Sequence, residues 1–223
     1  MKPCAFTNQT LVDHSIGSLN YAKMVMTSSY IDVAKRRLEK FGVKVDDSLF
    51  ELSVLLHDIG KAGEYYQEQF DDNCVGNSAS FIYHEIGSAI FFYNNVEDES
   101  VKKLIALAEL NHLNAIRGIS SLPVNEFPKG YDIRMLKLER YGKVLLDTLR
   151  DKGFDIHFDV RDYTFEDYRR MFLDIANSNE PYLKLYVFFL TPIIVGDNLD
   201  SHFARGLGER RRFIEILKKE VGV

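Results

Sequence analysis

Leu52-Ser53-Val54-Leu55-Leu56-His57-Asp58-Ile59-Gly60-Lys61 is an apolar run that ends in a histidine-aspartate pair, a glycine and a lysine. Its leucines recur at helical spacing, which predicts a buried helix over Leu49–Asp58 that Gly60 stops. A neutral imidazole beside a carboxylate is a natural pair of ligands for a divalent metal ion, and a lysine one turn further on can meet an anionic substrate such as a phosphate. Two ligands cannot hold a catalytic metal ion, so the rest of the chain must supply others.

Length and composition predict one ordinary globular domain. The chain has 223 residues, of which 46% are hydrophobic, enough for a sizeable continuous core. We predict a single domain over residues 1–223, with a helical core over about 10–202 and a basic helix over about 205–220. The net charge of -5 argues against a protein that coats nucleic acid through its overall charge. It does not exclude a phosphate-bearing substrate, because bound divalent ions make a local site positive.

The cysteines and the apolar segments bear on the cellular location. Cys4 and Cys74 are too few and too far apart in sequence for a disulfide scaffold or a cysteine zinc site, which favours an intracellular protein. The first residues lack the apolar segment of a signal peptide, and the longest apolar stretch, Leu185–Val195, is too short to span a bilayer. We therefore predict a cytoplasmic protein with no membrane partner.

Further candidate ligands lie on or at the ends of other predicted helices. His14 lies on the apolar face of a helical pattern that runs from Thr10 to about residue 39, where a histidine is more often a core residue than a ligand. His84 lies early in a later helix predicted from Phe81 to Tyr93, and His112 ends the next predicted helix. Asp197 follows a long run that is free of acids, an expensive placement unless the carboxylate is paired or binds a cation. Helix ends that each present such a group can assemble one metal site at one end of a bundle.

In order, these residues give histidine, histidine-aspartate, histidine, histidine and aspartate, and this order resembles the HD phosphohydrolase superfamily. Three segments, Leu55–Ala62, His84–Ala89 and Asp197–Ser201, are most similar to the HD nucleases of CRISPR-Cas type I systems, in the stand-alone form that is encoded apart from its helicase. The resemblance runs from about His14 to Ser201. It implies an all-α fold, a compact HD-domain helical bundle with long loops, that uses one or two divalent metal ions. It also implies the cutting of DNA, chiefly single-stranded, after a helicase and a crRNA-guided complex have opened it.

The resemblance also implies roles for individual residues. The first metal ion would be bound by His14, His57, Asp58 and Asp197, and a second by His84 and His112 with Asp58 as a bridge. The catalytic residues would be His57, Asp58 and Lys61, with Lys61 on the scissile phosphate, and further substrate contacts would come from Asn111 and Ser201. The family commonly shows two adjacent histidines where this chain has Asn111 and His112. The carbonyl oxygen of asparagine is a poorer ligand than imidazole, so the number of ions, one or two, stays open.

The residue types fit metal-assisted hydrolysis independently of the resemblance. A bound metal ion lowers the pKa of its water to about 7 in favourable sites. Histidine-rich ligation favours Mn²⁺, Co²⁺ or Ni²⁺ over Mg²⁺. A nuclease of this kind would work on single-stranded DNA or RNA, with a separately encoded helicase and a crRNA-guided effector complex as partners.

Two other functions remain open from the sequence. One is an HD phosphohydrolase that acts on a small nucleotide, in a pocket that residues 113–135 could close. The other is a scaffold that binds metal weakly and whose basic C-terminal helix docks a helicase or effector subunit. That helix also fits a surface helix that closes the core, or a basic rim for nucleic acid.

Overall fold

The computed structural model of the chain describes residues 2–76, 79–113, 122–205 and 212–222. Within these residues the fold is mostly helical, as predicted. The α-helices are α1 (Leu11–Ala22), α2 (Ser28–Glu39), α3 (Asp47–Leu55), α4 (Glu64–Gln67), α5 (His84–Asn95), α6 (Glu99–Asn111), α7 (Glu139–Asp151), α8 (Phe165–Ala176), α9 (Val187–Arg205) and α10 (Arg212–Val221). Short 3-10 helices cover Ile59–Ala62, Ile133–Leu136 and Pro181–Tyr186, and an antiparallel hairpin of β1 (Cys4–Phe6) and β2 (Gln9–Thr10) precedes α1.

Helix starts follow the capping signals of the sequence. The side chains of Thr10, Asp98 and Thr164 accept hydrogen bonds from main-chain N–H groups at the first turns of α1, α6 and α8. The single helical pattern predicted from Thr10 to about residue 39 is wrong. It is two helices, because the chain turns at residues 23–27 and Thr27 caps the second helix.

Five helices form the centre of the bundle. α5 packs along α6, α1 packs along α9, and α3 lies against both α1 and α9. One apolar core runs through these helices. The prediction that residues 1–223 form a single domain stays a prediction.

α9 is a long apolar helix. In the described residues, Pro181–Ala204 is the stretch that by length and composition could cross a membrane, with a mean hydropathy of 1.2. It packs against α1 and α6, and it buries Phe189, Ile193 and Leu199 completely. These contacts make α9 a core helix of the bundle.

The segment around the histidine-aspartate pair differs from the prediction. α3 ends at Leu55, so His57 and Asp58 lie in a turn rather than on the helix. Gly60 does not stop a helix; it lies in the 3-10 helix against α5. A Cβ atom there would lie 1.9 Å from the carbonyl oxygen of His84, and the Gly60 N–H donates to the Ser88 hydroxyl over 2.9 Å. Glycine is therefore needed because α5 approaches this backbone closely.

The two cysteines are joined. A disulfide bond links Cys4 of β1 to Cys74 in the loop after α4. With Phe70 they form a small buried cluster apart from the main core. Their 70-residue separation in sequence does not prevent pairing, because β1 folds against that loop. The cysteine content therefore gives no argument for an intracellular location.

Two other predictions reach residues that the structure does not describe. Within the described residues the predicted C-terminal helix is α10, Arg212–Val221, and residues 206–211 of the prediction lie outside the described residues. Residues 114–121 of the predicted 113–135 loop also lie outside them. The rest of that loop is irregular as far as the 3-10 helix Ile133–Leu136, and α7 follows at Glu139.

Candidate metal centre

The six predicted ligands meet where α1, α5, α6, α9 and the turn after α3 converge. They form two groups whose ligand atoms lie within 4.8 Å of one another. The first group is His14, His57, Asp58 and Asp197, and the second group is Asp58, His84 and His112. All except Asp197 are buried, and the Asp197 side chain is 18% exposed. The predicted constellation is thus present as a geometry, with Asp58 common to both groups.

The two carboxylate oxygens of Asp58 face different groups. Its Oδ2 lies 2.9 Å from Nε2 of His14 and 3.5 Å from Nε2 of His57. Its Oδ1 lies 2.8 Å from Nε2 of His84 and 3.6 Å from Nε2 of His112. A carboxylate with one oxygen toward each group has the geometry of a bridge between two cations.

The histidine rings of the turn, α5 and α6 are oriented by main-chain carbonyl groups. In each of them Nδ1 lies 2.5 to 2.7 Å from the carbonyl oxygen three residues earlier: Val54 for His57, Phe81 for His84, and Glu109 for His112. Such a contact places the proton on Nδ1 and leaves Nε2 as the free donor atom. All three Nε2 atoms then face the centre with a lone pair available for a metal ion.

Asp200 orients His14, and the sequence reasoning did not assign it that role. Its Oδ2 lies 2.7 Å from Nδ1 of His14 and accepts a hydrogen bond from the Gln9 amide over 2.8 Å. Burial lowers the pKa of His14, but its contacts with Asp197, Asp200 and Asp58 raise it to about 10. These carboxylates therefore favour a positive charge at this position. The spacing of Asp200, one turn after Asp197 on α9, was the available signal.

The carboxylates of the first group are held ionised. Burial would raise the pKa of Asp58, but the charges of Lys61 and His57 help to hold it well below its usual value. Burial acts in the same sense on Asp197, whose pKa is held well below its usual value chiefly by His14 and His57. The first group therefore presents two anionic carboxylates next to two imidazoles.

Several of these buried atoms lack a hydrogen-bond partner among the described residues. They are Nε2 of His14, Nε2 of His57 and both carboxylate oxygens of Asp58. The atoms are close, but their mutual geometry is not that of hydrogen bonds. Buried polar atoms without partners are costly, and nitrogen and oxygen donors that converge on one point fit a divalent cation. The residues present are therefore suited to hold metal ions.

Lys61 lies at the edge of the centre. Its ammonium group forms an ion pair with Oδ2 of Asp58 and lies 5.1 Å from the centroid of the Phe81 ring. Only 6% of the residue is exposed. Lys61 is thus a buried point cation within reach of any anion that enters the centre.

Ser201 and Asn111, the other two predicted substrate contacts, differ in whether their side chains adjoin the centre. The Ser201 hydroxyl donates to Oδ1 of Asp197 over 3.2 Å, so it adjoins the first group. The Asn111 amide nitrogen donates to the Leu107 carbonyl over 2.7 Å and is thereby engaged with its own helix.

Glu109 is a buried acid that the sequence reasoning missed. It lies one turn before His112 on α6, and neither carboxylate oxygen has a hydrogen-bond partner in the described part of the chain. Burial, and then the charge of Asp58, raise its pKa well above the usual value. Burial beside Asp58 therefore disfavours the charged form of Glu109.

The fold and the clustered side chains define an all-α HD-domain protein with the histidine-aspartate pair at its centre. No family model matches the chain. A CRISPR-associated endonuclease Cas3-HD of Saccharolobus solfataricus is 47% identical over 233 aligned positions, which span 99% of this chain and 97% of the relative. The chain belongs to the Cas3-HD family, which confirms the resemblance stated from the sequence.

Two further relatives carry the same name and align over shorter segments. The Cas3-HD endonuclease of Methanocaldococcus jannaschii is 32% identical over 101 residues, 42% of this chain and 39% of the relative. That of Pyrococcus furiosus is 30% identical over 116 residues, 48% of this chain and 47% of the relative.

Proposed function

We propose that the protein is a metal-dependent nuclease that hydrolyses phosphodiester bonds of DNA, chiefly single-stranded, in CRISPR interference. The observation that carries the proposal is the pair of buried ligand groups that share Asp58. The name endonuclease, which all three relatives bear, supports the substrate class.

The residues of the centre divide the work of hydrolysis. Divalent ions bound there would supply an activated water at neutral pH and offset the charge that develops on the phosphate. Asp58 fixes the position of the two groups relative to each other, because one of its carboxylate oxygens faces each group. Lys61 is a point cation that can exchange its Asp58 partner for a phosphate oxygen.

The remaining parts of the proposal concern ions, partners and location. The imidazole-rich donor set favours Mn²⁺, Co²⁺ or Ni²⁺, with Mg²⁺ less suited. We propose single-stranded DNA, or RNA, as substrate, and a separately encoded Cas3 helicase with a crRNA-guided effector complex as partners in the cytoplasm. Ser201 is proposed as a substrate contact because it adjoins the first group.

The proposal is tested by His57→Ala and Asp58→Ala, with Mn²⁺-stimulated cleavage of single-stranded DNA as the assay. Both variants remove an atom that faces the centre, so cleavage should fall to background while the far-ultraviolet circular dichroism stays that of the wild type. His157→Ala is the matched control. The His157 side chain is 87% exposed and belongs to neither ligand group. Undiminished cleavage by both centre variants would refute the proposal.

A nucleotide panel and metal analysis separate the other two functions. Wild-type protein with Mn²⁺ should cleave single-stranded DNA faster than it hydrolyses any small nucleotide, whereas the reverse order would favour the small-molecule phosphohydrolase. Purified protein that binds no metal and shows no metal-dependent activity would favour the scaffold.

A further inference from the structure

The disulfide bond lies in a corner of the molecule that also holds two residues of the centre. Cys4 and Cys74 are 1% and 2% exposed, and the ring of Phe81 packs against their cluster. The same Phe81 contacts the centre through its ring and its carbonyl group. We call Cys4, Cys74, Gln67 and Phe81 the clamp.

Phe81 joins the disulfide cluster to the second group. Its ring stacks on Phe70 of the cluster at 5.7 Å between centroids and meets the ring of His84 edge-on at 6.4 Å. Its carbonyl oxygen is the partner of His84 Nδ1 at 2.5 Å, and its ring lies beneath the Lys61 ammonium group. A displacement of Phe81 would therefore misalign a ligand and the buried cation together.

Gln67 joins the hairpin to the Lys61 backbone. This residue is 1% exposed, and its side-chain oxygen accepts from the Cys4 N–H over 2.7 Å. Its side-chain nitrogen donates to the Cys4 carbonyl over 2.9 Å and to the Lys61 carbonyl over 2.6 Å. The strand that bears Cys4 is thus fixed to the backbone of Lys61 through one buried amide.

The backbone of this corner needs external restraint. The non-glycine residues with positive φ in the described chain are Asn8 at 63°, Cys74 at 59° and Tyr83 at 72°. Asn8 donates its N–H to the Cys74 carbonyl over 2.8 Å, and Tyr83 directly precedes His84. Asparagine adopts left-handed backbone readily, but at Cys74 and Tyr83 this conformation costs free energy and persists only where the surroundings impose it. The disulfide bond is the covalent part of those surroundings.

The first group does not use these restraints. His14 is oriented by Asp200 and His57 by the Val54 carbonyl, and neither partner belongs to the clamp. We infer that the clamp positions His84, so that loss of the Cys4–Cys74 bond weakens the second group more than the first, which meets the clamp only through the ion pair of Lys61 with Oδ2 of Asp58. This inference rests on the proposed metal-dependent function of the same centre.

The test is a calorimetric titration of the Cys4→Ala/Cys74→Ala double variant with Mn²⁺. We expect two binding events in the wild type. The second group, with three ligand residues against four, should give the weaker event. In the double variant this event should lose affinity by about 10-fold or more, the size typical for loss of groups that orient metal ligands. The tighter event should change less than the weaker one, because both histidines of the first group are oriented by partners outside the clamp. Gln67→Met, which keeps the side-chain length but loses the hydrogen bonds, should act in the same direction.

The matched control is Val96→Ala. Val96 is 7% exposed and follows the far end of α5, so it tests whether a general loss of core packing has the same effect. Both binding events should be unchanged in this variant. An equal weakening of the second event by Val96→Ala would overturn the inference.

Reduction of the wild-type protein gives the same comparison if the double variant does not fold. A phosphine reductant breaks the Sγ–Sγ bond, each sulfur takes up a hydrogen, and the phosphine leaves as its oxide with the oxygen of a water molecule. Folded, reduced protein should show the weakened second event. Unchanged affinity in folded protein without the bond overturns the inference alone, as does a single event in the wild type. Wild-type protein that binds no Mn²⁺ overturns the proposed function as well.

Discussion

The two groups of the centre share Asp58 but are built differently. The first group has four ligand residues, two of which are carboxylates, and it lies between α1, α9 and the turn after α3. The second has three, and the shared aspartate is its only carboxylate among the described residues. Because opposite charges attract strongly at buried positions, the first group should hold a divalent ion more tightly.

The means of orientation differ for His14, whereas His57 of the first group relies on a main-chain carbonyl group as the second group does. His14 of the first group is fixed by a carboxylate that is itself hydrogen-bonded to Gln9. The two histidines of the second group, His84 and His112, rely on main-chain carbonyl groups. The carbonyl group that orients His84 is that of Phe81, a residue of the clamp. From this comparison we expect the first group to bind an ion more firmly than the second group, whose ligands depend on the local backbone.

His14→Ala and His112→Ala give the largest expected effect and test the comparison directly. Loss of His14 should weaken the tighter Mn²⁺ event and lower cleavage by more than about 100-fold, beyond the upper end seen for partners that only orient ligands. Loss of His112 should weaken the second event alone, and part of the lost activity should return at high Mn²⁺. Titration and cleavage rates measure both effects, and a common effect of the two variants on both events would contradict two separable groups.

Asp200→Asn tests how far the first group depends on its orienting carboxylate. The amide keeps the shape but removes the charge that faces His14, so the affinity of the tighter event should fall by about 10- to 100-fold. The second event should not change, because Asp200 faces only the first group. Thr191→Ala serves as the control on α9, because the exposed Thr191 hydroxyl donates to the Val187 carbonyl of its own helix and Thr191 belongs to neither ligand group. Wild-type affinity in Asp200→Asn would show that Asp200 does not orient the ligand.

The order of histidines and aspartates singled out six residues that the structure brings together, because each lies on or next to a helix whose apolar pattern is plain. Their role as metal ligands stays a prediction. The backbone partners of the histidines could not be predicted, since every residue has a carbonyl group and only the turn geometry selects Val54 or Phe81. Asp200 could have been assigned from its spacing. The helical spacing placed Asp200 on a face similar to that of Asp197, but it did not reveal the contact between Asp200 and His14.

The fold shows the same limit. The presence of most helices and several of their caps could be predicted from local signals. Thr10 and Asp46, for example, cap α1 and α3. The role of Gly60 was not, because it depends on the close approach of α5, which is distant in sequence. The disulfide bond was missed for the same reason. Sequence separation does not report the distance between β1 and the loop after α4.

The pH dependence of stability should distinguish the metal-free protein from the loaded one. The pKa of His14 is raised from 6.5 to about 10, chiefly by the three carboxylates against the effect of burial, and that of His112 is raised mainly by Asp58. A raised pKa stabilises the folded state fully below pH 6.5, and this stabilisation is lost as the pH rises through 10. The Tm of metal-free protein should therefore fall between these values. His14→Gln should make the Tm less dependent on pH. A Tm of metal-free wild-type protein that does not change between these pH values would contradict a raised pKa of His14.

Asn111→Ala should have the smallest effect and sharpens the comparison at the residue where the family commonly has a second histidine. The amide nitrogen of Asn111 is engaged with the Leu107 carbonyl, so its loss should cost about 1 kcal/mol of stability, the value of an ordinary hydrogen bond. Both Mn²⁺ affinities should stay at the wild-type values, because the second group as described needs only Asp58, His84 and His112. Thermal denaturation and calorimetric titration measure the two quantities. Selective weakening of the second event would instead assign the Asn111 carbonyl oxygen to the second ion, and the second group would then match the first in its number of ligands.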